Sequence, residues 1–154
     1  LLSLVRNRYY SPLKIISLYL YMSENKNPFN ILGSDQVPQD GGQAVTSVPA
    51  GANLNEQIDN LIGSSDIFLF MKGNPESPQC GFSANVIGML NASGVSYKTF
   101  DILSDMNIRQ GVKDYKNWPT FPQLYVKGEL IGGNDVITEL YESGELKGEL
   151  GIDA

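Results

Sequence analysis

The sequence predicts an α/β domain over residues 54–154, built on a mixed four-stranded sheet flanked by helices. Three observations predict it. Short apolar runs alternate with stretches of helical periodicity, the pattern of strand–helix–strand units with parallel pairing. The last two strand runs are separated by Lys127-Gly128, a tight-turn dipeptide that makes them an antiparallel hairpin. The chain has 154 residues, 42% of them hydrophobic, which is enough for one domain with a core of its own and an extension.

Each element has its own signal. Leu54, Ile58, Leu61 and Ile62 recur at helical spacing behind Asn53, a residue suited to an N-cap. DIFLFMK (66–72) is a short apolar run ending in lysine and reads as a buried strand. The turn formers GNPESPQ (73–79) then lead to Cys80. From Ser83 onward, Val86, Ile87, Met89 and Leu90 mark a helix that Gly94 closes. VSYKTFDI (95–102) alternates as a strand, and Met106, Ile108, Val112 and Tyr115 mark the next helix. Pro119 and Pro122 bracket a turn into QLYVKG, and ELIGG is its hairpin partner. A last helix runs from Asn134 through Leu140 and Tyr141, and Leu146 and Leu150 suggest a short terminal one. The order helix, strand, helix, strand, helix, strand, strand, helix resembles the thioredoxin fold.

Ahead of the domain lie two segments of different composition. Residues 1–22 hold Arg6, Arg8 and Lys14, no acidic residue and many apolar and hydroxyl side chains, which reads as an organelle presequence. The expected address is the mitochondrion or another organelle; Met22 offers an alternative start, with the cytoplasm as the address. Residues 23–53 are rich in Asn, Gly, Pro, Ser and Gln and read as a flexible linker or disordered arm. The apolar run around Ile15–Met22 falls far short of the ~20 residues that cross a bilayer, so no membrane partner is expected.

Composition narrows the chemistry. Residues 54–154 carry seven basic and fourteen acidic side chains, a net charge of −7, which argues against general nucleic-acid binding through phosphate neutralisation. The chain has one cysteine and no histidine. That excludes an intramolecular disulfide, the usual Ser/His/Asp and Cys/His catalytic sets, and zinc sites built on imidazole or several thiolates. Cys80 sits between a strand and a helix, where unpaired backbone N–H groups favour a thiolate. Gly81 lets another molecule approach closely, and Lys72 lies at the end of the preceding strand. Position 83 is serine, so disulfide chemistry requires an outside thiol or the Cys80 of a second subunit.

The segment MKGNPESPQCGFS resembles the signature of the monothiol glutaredoxins of the Cys-Gly-Phe-Ser class. IRQGVKDY, NWPTFPQLYVKGELIGG and the Asn-Asp that follows are similar to the family's remaining blocks, in the same order. The resemblance covers essentially all of 54–154. It implies that Cys80 is the active thiol and that Lys72 meets a glutathione carboxylate. It implies Phe82 as the aromatic beside the thiol, and Arg109 and Lys113 as the basic pair that receives the glycine end. Thr120 and Phe121 precede the family's cis proline, Pro122, and the Phe121 backbone pairs with the cysteinyl part. Gly133, Asn134 and Asp135 hold the γ-glutamyl end. The chemistry of the tripeptide agrees: cations at one end, a carboxylate at the other and exposed backbone between match its charges. Many members carry a second cysteine where this chain has Asn134, so a disulfide from Cys80 to that position is excluded here.

The resemblance also implies a cofactor arrangement. A [2Fe–2S] cluster takes four ligands. Two subunits supply two Cys80 thiolates and two glutathiones supply the rest, giving a cluster-bound homodimer that passes its cluster to iron–sulfur acceptor proteins. The alternative reading is a glutathione-dependent thiol–disulfide oxidoreductase that reduces protein–glutathione mixed disulfides. A third, an adaptor domain with an unused thiol, predicts no glutathione binding.

Overall fold

The computed structural model describes residues 41–152. The leader assigned to 1–22 and most of the linker assigned to 23–53 lie outside the described residues.

Among the described residues the sheet has five strands in the order β1-β3-β2-β4-β5: β1 Gly42–Val45, β2 Ile67–Met71, β3 Tyr97–Asp101, β4 Gln123–Val126 and β5 Glu129–Gly132. β1 and β2 pair parallel with β3; β4 pairs antiparallel with β2 and with β5. The four strands β2–β5 form the mixed, thioredoxin-like sheet the sequence predicts. β1 is an addition, and it corrects the expected linker at those residues: Gly42–Val45 lie along the free edge of β3. The physical reason is a close approach. A Cβ on Gly42 would sit 2.7 Å from the Tyr97 ring, so only glycine lets the chain lie against that ring and pair. Tyr97 N–H donates to the Gly41 carbonyl at 2.9 Å, and its hydroxyl donates to Asn91 Oδ1 at 2.8 Å.

Among the described residues five helices flank the sheet: α1 Leu54–Ile62, α2 Gly81–Ser93, α3 Met106–Tyr115, α4 Asn134–Ser143 and α5 Leu146–Glu149. α1 begins as the sequence predicts, with Asn53 Oδ1 accepting the N–H of Glu56 at 3.0 Å. Asp105 caps α3 through the N–H groups of Asn107 and Ile108, and Gly94 closes α2 in the left-handed region.

β2 explains why the run 67–71 has no polar gap: all five residues are buried, because both sheet faces are covered. Ile67, Leu69 and Met71 pack with Val86, Met89 and Leu90 of α2 and Ile137 and Leu140 of α4. Phe68 and Phe70 pack on the other face with Ile58 and Leu61 of α1 and Ile108 and Val112 of α3. Phe70 meets Tyr125 edge-on at 5.8 Å between ring centroids. Lys127 and Gly128, with φ of +48° and +82°, make the β4–β5 turn whose twist suits a hairpin.

Candidate functional site

Topology gathers the site at one edge of the sheet. β2 and β3 run parallel, so Lys72 after β2 and the loop into α3 after β3 emerge side by side. β4 is antiparallel to β2, with Gln123 opposite Phe70, which brings Thr120, Phe121 and Pro122 to the same edge. β5 returns antiparallel to β4, with Gly132 opposite Leu124, and delivers Gly133, Asn134 and Asp135 there too. Open α/β sheets bind ligands at this C-terminal edge of their parallel strands. Arg109 lies in the first turn of α3, near that edge; Lys113 lies one turn further along.

Cys80 occupies the N-cap position of α2 in extended conformation (φ −149°, ψ 136°), partly exposed and with no side-chain capping bond. The residues before it form a closed loop. Gln79 N–H donates to the Lys72 carbonyl at 2.9 Å, and Gly73 and Pro78 form a β-bridge. Asn74 Oδ1 accepts the N–H groups of Glu76 and Ser77 at 3.0 and 2.8 Å. Gly73 has φ +86°, and a Cβ there would meet the Ser77 carbonyl at 2.5 Å. Asp101, at the end of β3, ties the loop to the sheet: its Oδ1 accepts Gly73 N–H and Leu103 N–H, both at 2.9 Å.

Ser83 holds the cysteine end. It is fully buried, and its Oγ accepts the N–H of Lys72 at 3.2 Å. The serine that replaces a second thiol therefore ties the first turn of α2 to the end of β2. Phe82 is 45% exposed beside the thiol.

The proline turn lies against the residue that caps α4. The Phe121–Pro122 peptide is cis, as the resemblance implies. Gln123, fully buried, donates from Nε2 to the carbonyls of Trp118 and Thr120 at 2.9 and 3.2 Å and accepts from the Tyr125 hydroxyl at 3.1 Å. A Cβ on Gly133 would lie 3.3 Å from the Pro122 carbonyl and 3.5 Å from Trp118 Nε1, so these segments abut. Phe121 is buried, whereas Thr120 and Asp135 are exposed. Asn134 stands with Gly133 and Asp135 at the start of α4. Its side chain is turned inward, where Oδ1 accepts from Asn85 Nδ2 at 2.6 Å, and the residue is 9% exposed.

Sequence reasoning missed Asp101, Ser83 as a structural tie, and Asn85. Asn85 left one signal, a polar residue among the apolar positions of α2. Among the described residues no group of three or more His, Cys, Asp or Glu side chains can hold a metal ion. The arrangement presents one partly exposed thiol at a helix start, with Lys72 and Arg109 and, at the start of α4, Asp135 near the same edge of the sheet. No helix of the described residues is long and apolar enough to cross a membrane.

Comparisons with known proteins agree with this geometry. A family model described as Glutaredoxin matches residues 67–131. The monothiol glutaredoxin ycf64-like protein of Synechocystis sp. is 52% identical over 91 residues, which cover 59% of this chain and 85% of that protein. Monothiol glutaredoxin-S11 of Oryza sativa is 50% identical over 112 residues, or 73% of this chain. The chain spans only 23% of the rice protein and 33% of Glutaredoxin 3 of Danio rerio. The solution structure of a monomeric truncated mutant of Trypanosoma brucei 1-C-Grx1 is 44% identical and superimposes with a TM-score of 0.58, over 66% of this chain and 92% of that one. With one thiol at the start of α2, a cis proline ahead of β4 and a relative matched over most of its length, the chain belongs to the monothiol glutaredoxin family.

Proposed function

We propose that this chain binds glutathione at the C-terminal edge of its sheet and, with Cys80, carries a [2Fe–2S] cluster as cargo to acceptor proteins. The observation that carries the reading is ligand supply. One chain offers one thiol, partly exposed at the N-cap of α2 beside Gly81, and no other cysteine or histidine. A four-ligand cluster must then draw on a second subunit and on outside thiols, and glutathione is the thiol that the edge suits. Lys72, Arg109 and Lys113 supply cations for its carboxylates, the Phe121 backbone pairs with its cysteinyl part, and Asp135 meets the ammonium of its γ-glutamyl end. Thr120, Gly133 and Asn134 shape the cradle, and Phe82 flanks the sulfur. The partly exposed thiol and the glycine next to it fit a bridging cargo, because a second subunit has to come close.

The test is anaerobic reconstitution with iron, sulfide and glutathione, followed by visible absorption and mass on a sizing column, with Cys80→Ser beside the wild type. A coloured dimer that needs both glutathione and Cys80 is expected, and the cluster should pass to an apo-ferredoxin. A colourless monomer overturns the carrier reading and leaves reduction of protein–glutathione mixed disulfides as the work of the same groove.

A further inference from the structure

Beside the apolar contacts between α2 and α4, three buried polar residues form a hydrogen-bonded network. Asn85, Asn134 and Thr138 are 7%, 9% and 8% exposed. Asn85 Nδ2 donates to Asn134 Oδ1 at 2.6 Å and to Thr138 Oγ1 at 3.2 Å. Thr138 donates its hydroxyl proton to the Asn134 carbonyl at 2.8 Å. Asn134 Nδ2 in turn donates to Asp135 Oδ1 at 3.3 Å.

These directions interlock. A carboxylate only accepts, so Asp135 requires the amide nitrogen of Asn134 on its side, which turns Asn134 Oδ1 toward Asn85. Thr138 has one proton and uses it on the Asn134 carbonyl, so toward Asn85 it accepts. Both neighbours present acceptors, and Asn85 must present its NH2. Its own Oδ1 is left buried without a hydrogen-bond partner. A buried carbonyl in that state is costly, and an apolar side chain at 85 would avoid the cost. The arrangement gains definition rather than stability: a chain of hydrogen bonds running from the helix that carries Cys80 to the carboxylate at the start of α4.

We infer that Asn85 is a positioning residue which, acting through Asn134, aims the Asp135 carboxylate at the ammonium of the γ-glutamyl end of glutathione. This rests on the glutathione site proposed above and adds to it the residue that sets recognition of that end. Neither Asn85 nor Thr138 needs to touch the tripeptide.

The test compares two peptides that differ only at the ammonium. Cys80 is equilibrated with glutathione disulfide, or with the disulfide of glutaryl-cysteinylglycine, which lacks the amino group. In each exchange the Cys80 thiolate attacks one sulfur, the peptide disulfide breaks, and the other half leaves as a thiolate; no net oxidation occurs. The adduct is counted by intact mass. The wild type is expected to favour glutathione over the analogue. Asn85→Ala and the near-isosteric Asn85→Asp are expected to cut that preference about three- to tenfold, the equivalent of one net hydrogen bond, with the analogue's equilibrium unchanged. In an Asp135→Ala background, Asn85→Ala should change nothing further. Because the two peptides are compared within each variant, general loosening of the fold cancels. A preference that survives in both Asn85 variants, or a fall that is equal for the two peptides, overturns the inference while leaving the glutathione site intact. A wild type that forms an adduct with neither peptide overturns the glutathione site itself, and the inference with it.

Discussion

At the scale of single residues, the site is held by backbone N–H groups finding side-chain acceptors. Ser83 is the clearest case. It is fully buried, and its Oγ accepts from Lys72 N–H at 3.2 Å. Ser83→Ala leaves that donor unmatched where water cannot easily replace the hydroxyl, at a cost of about 1–3 kcal/mol. A lower urea midpoint with an unchanged slope is the expected result; an unchanged midpoint would show that the tie contributes nothing. Asp101 does comparable work on the other side of the loop, for Gly73 and Leu103 together. Neither role is written in the local sequence. Ser83 is conspicuous there as a missing second thiol, and its partner lies eleven positions back, at a distance only the β2–α2 turn can close.

At the scale of elements, helices α1, α3 and α4 follow the 3.6-residue period that predicts them, β2 shows as an unbroken apolar run and the β4–β5 hairpin shows through its Lys127-Gly128 turn, so each leaves a local pattern. β1 leaves none. It is four residues long, and only its two ends, Gly42 and Val45, are even partly buried. Its docking depends on the glycine that lets it lie against the Tyr97 ring. Gly42→Ala would put a Cβ at 2.7 Å from that ring, so β1 should lift from the sheet while β2 and β4 keep their pairing. Hydrogen exchange measures this directly: the Tyr97 amide, bonded to the Gly41 carbonyl at 2.9 Å, should lose protection while the amides of β2 keep theirs. If Tyr97 stays protected, close approach at Gly42 is not what holds the strand.

At the scale of the whole molecule, one sheet is shared by two cores, and the helices on a face are joined by polar contacts at the rim. The Tyr115 hydroxyl of α3 donates to Asp59 Oδ1 of α1. That hydrogen bond, with some burial and the nearby Asp59 and Glu129 charges, pushes the Tyr115 hydroxyl from 10.0 up to about 12. Burial also pushes up the hydroxyls of Tyr97 and Tyr125. The sign follows from linkage. A group whose folded value is raised holds its proton more tightly when folded, so its contribution is fully present below pH 10 and is lost as pH rises toward 12. Stability should therefore be unaffected by these tyrosines between pH 7 and 9 and should fall above about pH 10. Tyr115→Phe should make that fall shallower without abolishing it, as followed by urea unfolding across the alkaline range. A fall of equal steepness in the variant would remove Tyr115 from the account.

The fold class is legible in the local sequence, because short apolar runs, helical periods and a tight-turn dipeptide are properties of neighbouring residues. The sequence also determined the chemistry on offer, since a chain with one thiol and no imidazole has few choices. Cys80 and Lys72 stand out by their place between a strand and a helix, and Phe82, Arg109, Lys113, Thr120, Phe121, Gly133, Asn134 and Asp135 through motif blocks. That those blocks come to one edge follows from the topology, because antiparallel returns through β4 and β5 bring together residues separated by dozens of positions. The tertiary structure alone turned Asn134 inward to Asn85, 49 positions away, since a hydrogen bond between two helices depends on how they pack and leaves no period in either one.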